Sequence, residues 1–259
     1  MKYFFVFTLF CSFLGNAQSY LDFHFKSNGI TGAVVIYNDN TNEWIFNNES
    51  EPFTNTPIAA HFHLWQTLVG LENGVFSTKE NDVIRWDGVK RSYFEEHKSI
   101  WNKDMNLSEA IANQNDSYFN HLKYRLSKEI YQSNIEENSL IKQTLNNKLE
   151  FYWNYAALTN PNTLILFLKD LYENKLPFNK QNQEYLIKQL KISNDFILHS
   201  TVTSYQGNKI EWTIGAYLKN KKPVYFSYRT NRSVEFDKTS DYDKKRNQVL
   251  TEIFESLKI

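Results

Sequence analysis

The sequence has almost no cysteine: Cys11 is the single one among 259 residues, and it lies in the apolar segment at the start of the chain. The rest of the chain therefore has no disulfide, no thiolate metal site and no thiol nucleophile. An excess of charge is also lacking, because 29 Lys and Arg residues balance 29 Asp and Glu residues. This balance gives no electrostatic reason to expect a nucleic-acid partner.

Linker-like composition is scarce as well, since the 8 glycines and 5 prolines do not cluster in any segment. Aromatic residues, in contrast, make up 16% of the chain and apolar residues 41%, which excludes a disordered protein. A length of 259 residues is enough for one well-buried core. We therefore predict a single domain over residues 18–259 and expect no cofactor.

Residues 1–17 are typical of a secretory signal peptide. Lys2 provides a positive start, an apolar run extends from residue 3 to residue 14, and small residues up to Ala17 suit cleavage. The run is shorter than the roughly 20 residues of a membrane-spanning helix. The sequence predicts an exported protein, periplasmic or secreted, with no membrane span after cleavage.

Two β-hairpins are predicted near the ends of the chain, over residues 32–37 with 43–47 and residues 210–218 with 224–228. Between them, apolar spacing predicts a buried helix from His61 to Glu72, and Asn160-Pro161 marks another helix start. An amphipathic helix is predicted over residues 241–257. The economical arrangement is an α/β (α+β) fold, in which one antiparallel sheet from both hairpins is flanked by helices.

Several short motifs follow one another in a specific order along the chain. These are Gly32, Gly70-Leu71-Glu72, Trp86-Asp87-Gly88, Trp101 to Asp104, Leu171 to Pro177, and Trp212 with Gly215. Their order and spacing resemble the class D β-lactamases and the related sensor domains of penicillin-binding receptors. The resemblance implies a β-lactamase/transpeptidase-like fold and a cleft in which a serine attacks a β-lactam.

The resemblance also indicates that the family's nucleophile and base are replaced. A Ser-x-x-Lys motif precedes the Gly-Leu-Glu segment in the family, and its two positions hold Ala60 and His63 in this chain. Ala60 has no nucleophilic atom. The family's Ser-x-Val motif aligns with residues 114–116, where Gln114 cannot relay a proton as a serine does and Asp116 adds a negative charge.

The third motif of the family, Lys-Thr-Gly, aligns best with Ser200-Thr201-Val202, although a slip of one residue remains open. In either register the cation that anchors the substrate carboxylate and the glycine are both lost. Val202 places a branched side chain where the family leaves room for substrate. No metal and no catalytic residue is predicted. The ligand-pocket candidates are Ala60, His61, His63, Gln114, Asp116, Ser200, Thr201 and Val202.

The favoured interpretation is an exported, catalytically inactive homologue that binds an unknown ligand or a cell-envelope partner. One alternative is a repurposed hydrolase that uses His61, His63, His199 and Asp116 in the old cleft. His61 and His63 are two residues apart and do not share a helix face, and the pattern is not a zinc-enzyme motif. A second alternative is residual non-covalent binding of β-lactams or peptidoglycan stems through surviving backbone N–H groups.

Overall fold

The computed structural model describes residues 20–91, 99–137, 158–218, 222–233 and 241–258. The chain divides into two compact units. The sheet unit comprises Met1–Pro57, Thr159–Leu168 and Ile192–Ile259, and the helical unit comprises Ile58–Leu158 and Lys169–Lys191. The single domain over residues 18–259 stays a prediction. The predicted signal peptide over residues 1–17 lies outside the described residues.

A five-stranded antiparallel sheet forms the body of the sheet unit. Its strands are β1 (Thr31–Asn38), β2 (Glu43–Phe46), β5 (Phe196–Tyr205), β6 (Asn208–Tyr217) and β7 (Val224–Ser233), in the spatial order β2-β1-β7-β6-β5. Two further strands of two residues, β3 (Thr56–Pro57) and β4 (Leu158–Thr159), lie outside this sheet. Strand β1 pairs with β7, with Val34 opposite Tyr228 and Tyr37 opposite Tyr225. The prediction that both hairpins share one antiparallel sheet is confirmed.

Two helices cover the apolar side chains of β1 and β7. They are α1, which occupies residues 20–27 of the described chain, and α9 (Tyr242–Ser256). Their inward residues and those of the strands form one buried cluster of Leu21, Phe25, Ile30, Val34, Ile36, Val224, Phe226, Tyr228, Val249 and Ile253. Each fully buried large apolar side chain in such a cluster stabilises the fold by about 1.5–3 kcal/mol. His24 of α1 also contacts Glu252 of α9, with Nδ1 and Oε2 3.1 Å apart.

Gly32 allows the close approach of β1, β7 and α1. A Cβ atom at this position would lie 2.5 Å from the carbonyl oxygen of Arg229 and 2.7 Å from the ring of Phe25. Both distances are shorter than real Cβ contacts, so any larger residue would push the strand and the helix apart. The glycine that the sequence motif contains is therefore a packing requirement of the sheet unit.

The helical unit contains α2 (Phe62–Glu72), α3 (Leu107–Asn113), α4 (Asp116–Phe119), α5 (His121–Arg125), α6 (Lys128–Glu137) and α8 (Lys180–Leu190). Helix α7 (Pro161–Tyr172) contributes residues to both units. Short 3-10 turns occupy Glu51–Phe53, Ala59–His61 and Ser99–Trp101. None of the helices in the described ranges has both the length and the apolar character needed to cross a lipid bilayer.

Helix α2 is buried along nearly its whole length, from Phe62 to Gly70. Its buried side chains are mostly apolar, but His63, Gln66 and Thr67 lie three or four residues apart on one face and are buried as well. The helix ends where the backbone N–H of Asn73 bonds the carbonyl of Val69 and Gly74 adopts a φ of 65°. The predicted helix over residues 61–72 is confirmed, except that the α-helical turn begins at Phe62, after the 3-10 turn.

Candidate functional site

The 3-10 turn Ala59–His61 leads directly into α2 and is buried at all three residues. Ala59 has a φ of 49°, in the left-handed region that a non-glycine residue rarely adopts. Ala60 follows it and is 8% exposed. The strained residue therefore immediately precedes Ala60, the buried position aligned with the family's serine, which offers a methyl group instead of a hydroxyl.

His63 lies one turn further along α2 and contacts Asp116, the first residue of α4. The distance between His63 Nε2 and Asp116 Oδ1 is 3.1 Å. The imidazole is 1% exposed and the carboxylate 34%, so the pair joins a buried ring to a half-buried acid. The ring of Phe119 stacks on the imidazole at a centroid distance of 4.1 Å and an interplanar angle of 15°. These two contacts fix the orientation of the imidazole.

Backbone geometry at the end of α3 positions Asp116. Gln114 ends the helix in the left-handed conformation, with φ 52° and ψ 48°. The next residue, Asn115, is buried and caps α4, because its Oδ1 accepts hydrogen bonds from the backbone N–H groups of Ser117 and Tyr118. Its Nδ2 group donates to the carbonyl of Trp101 at 3.3 Å. Asp116 is thereby held between two anchored backbone segments.

The remaining candidates lie on β5 of the sheet unit. Thr201 is buried and pairs with Trp212 across the β5–β6 ladder. Ser200 is exposed, and its Oγ is 2.8 Å from Oγ1 of Thr213. His199 is 7% exposed. None of residues 199–203 is a lysine, an arginine or a glycine, so this stretch of strand supplies neither a permanent cation nor an open backbone position.

The predicted site residues thus fall into two sets. His63 and Asp116 are brought together, and Ala60, His61 and Gln114 lie in the same helical unit. His199, Ser200, Thr201 and Val202 belong to the sheet unit. Among the residues that the structure describes, no three His, Cys, Asp or Glu side chains are grouped closely enough to hold a metal ion.

Sequence relatives and solved structures agree on a family. The chain is 30% identical over 210 residues to β-lactamase OXA-20 of Pseudomonas aeruginosa, a match that covers 79% of this chain and 76% of the relative. The fold matches the crystal structure of a class D β-lactamase from Sebaldella termitidis with a TM-score of 0.74 and 25% identity, over 92% of this chain and 96% of that one. The chain belongs to the class D β-lactamase family.

Other class D β-lactamases match at lower identity. β-Lactamase OXA-10 of Pseudomonas aeruginosa is 23% identical over 242 residues, 90% of this chain and 86% of the relative. The crystal structure of the class D β-lactamase YbXI from Nostoc has a TM-score of 0.75 at 20% identity and covers 92% of this chain and 98% of that one. No family model matches the chain. The predicted resemblance and the α/β fold are confirmed by these relatives.

Two features of this class D chain escaped the sequence analysis. One is Phe119, whose ring covers His63; residues 56 positions apart in sequence carry no periodic signal that they will stack. The other is a buried ion pair in the sheet unit, in which Arg229 donates to Glu51 at 2.7 Å and also to the hydroxyl of Thr56. Burial raises the pKa of the Glu51 carboxyl, and the Arg229 charge partly opposes this shift.

Proposed function

We propose that this protein is a non-catalytic member of the class D β-lactamase family that works by binding a ligand or a cell-envelope partner. The observation that carries the proposal is the pair of His63 and Asp116, combined with alanine at position 60. A serine β-lactamase needs a nucleophile, a base that reaches it and a group that anchors the substrate. This chain has a feature that works against each of these three requirements.

The nucleophile is the first requirement. The Ala60 side chain is a methyl group, and its immediate neighbours Ala59, His61 and Phe62 contain no hydroxyl or thiol. The hydroxyl of Thr67, the nearest one later in α2, donates to the carbonyl of His63 at 2.8 Å and is fully buried. A hydroxyl engaged in this way does not replace the missing serine.

The base is the second requirement. In the family the residue at position 63 is a lysine that takes the serine proton, and here it is an imidazole with 1% exposure. One of its nitrogens already faces Asp116, and its ring is covered by Phe119. A side chain held on both sides in this way packs the helical unit and has little freedom to approach a substrate.

The anchor is the third requirement. In the proposed alignment Ser200, Thr201 and Val202 replace Lys-Thr-Gly, so a substrate carboxylate meets hydroxyls rather than an ammonium group. Charge-assisted hydrogen bonds are roughly twice as strong as neutral ones. The expected affinity for a β-lactam carboxylate at this strand is therefore low, which favours a different ligand or a protein partner.

A direct test is acylation by a β-lactam. We expect no mass increase when the purified protein is incubated with a labelled penicillin and its intact mass is measured, because position 60 carries no nucleophile. The same protein with Ala60→Ser and His63→Lys gives the comparison in which the first motif is restored. A covalent adduct on any serine of the unaltered chain would contradict the proposal, and label retained without a mass change would indicate non-covalent β-lactam binding.

A second candidate function is acid–base chemistry by the pair itself, since a carboxylate 3.1 Å from an imidazole is the arrangement that orients a catalytic histidine. The burial of His63 weighs against it. His61 shares the helical unit with the pair, whereas His199 lies in the sheet unit, so the predicted four-residue cluster stays a hypothesis. A hydrolase screen of the wild type and of Asp116→Asn tests this candidate, and an activity that depends on Asp116 would favour it.

We also propose that the protein is exported, to the periplasm or beyond. The support is the residue pattern of the first 17 positions. Cell fractionation with measurement of the mature N-terminus tests this. A mature chain that begins near Gln18 in the exported fraction is expected.

A further inference from the structure

The chain segment between α3 and α4 is tied to Trp101 at two points. The indole Nε1 of Trp101 donates to the carbonyl of Asn113 at 2.7 Å. The carbonyl of Trp101 accepts a hydrogen bond from Nδ2 of Asn115 at 3.3 Å. Trp101 is 5% exposed and Asn115 is 3% exposed. Two buried hydrogen bonds from one residue to positions 113 and 115 therefore fix the backbone that leads into α4.

The side chain of Asn115 has two separable tasks. Its Oδ1 caps α4 by accepting hydrogen bonds from the backbone N–H groups of Ser117 and Tyr118, at 2.9 and 3.2 Å. Its Nδ2 forms the tether to Trp101. A helix of four residues gains little stability from its own backbone hydrogen bonds, so the cap and the tether determine where its first residue, Asp116, lies.

The contact between Asp116 and His63 tolerates little displacement. Its two atoms are 3.1 Å apart, and hydrogen bonds from a nitrogen to an oxygen weaken beyond about 3.2 Å. An ionised carboxylate only accepts hydrogen bonds, so a neutral imidazole in this contact carries its proton on Nε2. The ring of Phe119, stacked at 4.1 Å, opposes a rotation that would turn Nδ1 toward the carboxylate. The position of Asp116 thus determines which ring nitrogen is protonated.

We propose that Trp101 and Asn115 are positioning residues, which hold Asp116 against Nε2 of His63 and so keep the neutral imidazole in its Nε2–H form. This form leaves Nδ1 as the nitrogen without a proton. The choice of form decides which ring nitrogen donates and which accepts in any interaction of the imidazole. The proposal concerns the imidazole itself, so it holds whether the pair of His63 and Asp116 contributes to ligand binding or to acid–base chemistry.

Nitrogen NMR of the full chain measures the protonation of each imidazole nitrogen. The spectra are recorded above about pH 8, where an ordinary imidazole is neutral. The signals of His63 are identified by their loss in His63→Gln. In the wild type we expect the Nε2–H form to exceed the Nδ1–H form at least about tenfold, because a hydrogen bond to a charged acceptor has that effect. Asp116→Ala is expected to abolish this preference.

Two variants test the positioning residues. Asn115→Ser keeps an oxygen that can cap α4 and removes the amide donor, whereas Trp101→Phe keeps an aromatic ring and removes the indole N–H. Each is expected to lower the ratio of the two forms several-fold, toward that of Asp116→Ala. Asn106→Ala is the matched control, because it removes the cap of α3, where Oδ1 accepts from the N–H of Glu109 at 2.9 Å, and leaves the tether intact. We expect this control to keep the wild-type ratio.

Three results would overturn the positioning role. The first is a wild-type imidazole that is mainly Nδ1–H or an even mixture of the two forms. The second is a wild-type ratio in Asn115→Ser or in Trp101→Phe, and the third is an equal loss in Asn106→Ala, which would reduce the effect to a general loosening of the helical unit. Should Trp101→Phe fail to fold, Asn115→Ser alone decides, since serine and asparagine are equivalent helix caps.

Discussion

Two adjacent alanines in the 3-10 turn that precedes α2 have the same side chain but different backbone conformations. Ala59 has a φ of 49°, and Ala60 is not among the residues with positive φ. Both are buried, at 4% and 8% exposure, so each methyl group contributes similar packing. The left-handed conformation costs a non-glycine residue about 1–2 kcal/mol, so the turn is strained at position 59. Strain of this kind is common at functional sites, and here it persists beside an alanine in the serine position.

Exchanging each alanine for glycine measures that strain. Both Ala59→Gly and Ala60→Gly delete one buried methyl group and loosen the unfolded chain, but only the first relieves a left-handed residue. We expect Ala59→Gly to leave the protein about 1–2 kcal/mol more stable than Ala60→Gly, measured by denaturant unfolding. Equal free energies of unfolding would mean that the turn at position 59 is relaxed.

At the residue scale, the sequence predicted which residues occupy the candidate site better than it predicted which side chains contact them. Ala60, His63 and Asp116 were placed by the motif order, and the pair of His63 and Asp116 does form. Phe119, which packs on the same imidazole, was not foreseen. The reason is physical: a motif fixes a position along the chain, whereas a stacking partner depends on how α4 packs against α2.

Among the loops, the segment from Trp86 to Arg91 is stabilised by charge. The Arg91 guanidinium donates two hydrogen bonds to Asp87, and the backbone N–H of Val89 donates a third at 3.0 Å. The hydrogen bonds from Arg91 are the main reason that the pKa of the Asp87 carboxyl lies far below its usual 3.8. Gly88, between them, has a φ of 78° and allows the chain to turn back on itself.

This loop predicts how stability responds to acid. The Asp87 carboxyl has a lower pKa in the folded state than in the unfolded chain, so its contribution is present above pH 3.8 and is lost progressively below it. We expect the free energy of unfolding of the wild type to exceed that of the Arg91→Gln variant by less than about 1 kcal/mol at neutral pH, because the ion pair is largely exposed. Unfolding curves at a series of pH values should show this difference shrinking below pH 3.8. A difference that is constant down to pH 2 would contradict the assignment.

The long elements were predictable because each carries its own periodicity. Strands β1, β2, β6 and β7, helix α2 and helix α9 all appear within a few residues of the predicted ranges. The short helices α3, α4 and α5 were not predicted individually. Helix α4 has four residues, and its start depends on the side chain of Asn115. It is therefore too short to show an apolar stripe in the sequence.

Restoring β-lactam hydrolysis would require changes in several parts of the molecule. Ala60→Ser with His63→Lys rebuilds the first motif, but the new ammonium group would lie beside the Asp116 carboxylate, which now contacts position 63. An ion pair there keeps the amine protonated and unable to accept the serine proton. The strand positions 200–202 still lack a cation. We expect no appreciable nitrocefin hydrolysis by the double variant.

Adding Asp116→Val to the double variant is the informative next step, since it removes the competing carboxylate and changes nothing on β5. Circular dichroism confirms that each variant is folded. Rapid turnover by the double variant alone would show that the damage at the second and third motifs has been overestimated.

At the scale of the whole chain, the sequence predicted one antiparallel sheet from two terminal hairpins, and this sheet exists. The division into two units was not foreseen. The helical unit begins at Ile58, directly after β3, and most of it is one insertion into the sheet unit. An insertion that starts within two residues of a strand needs no Pro- or Gly-rich linker, so composition does not reveal the boundary.

Among the residues that the structure describes, the two most deeply buried indoles fall one in each unit, Trp65 in the helical unit and Trp212 in the sheet unit. Trp212 Nε1 donates to Ser227 at 2.7 Å, whereas Trp65 packs edge-on against the ring of Tyr131. Their emission spectra should therefore differ in the native state and converge when water reaches them. Each unit thus contains a buried tryptophan whose fluorescence reports on that unit. Unfolding followed by fluorescence in the Trp65→Phe and Trp212→Phe variants would show whether the two units unfold together or one after the other.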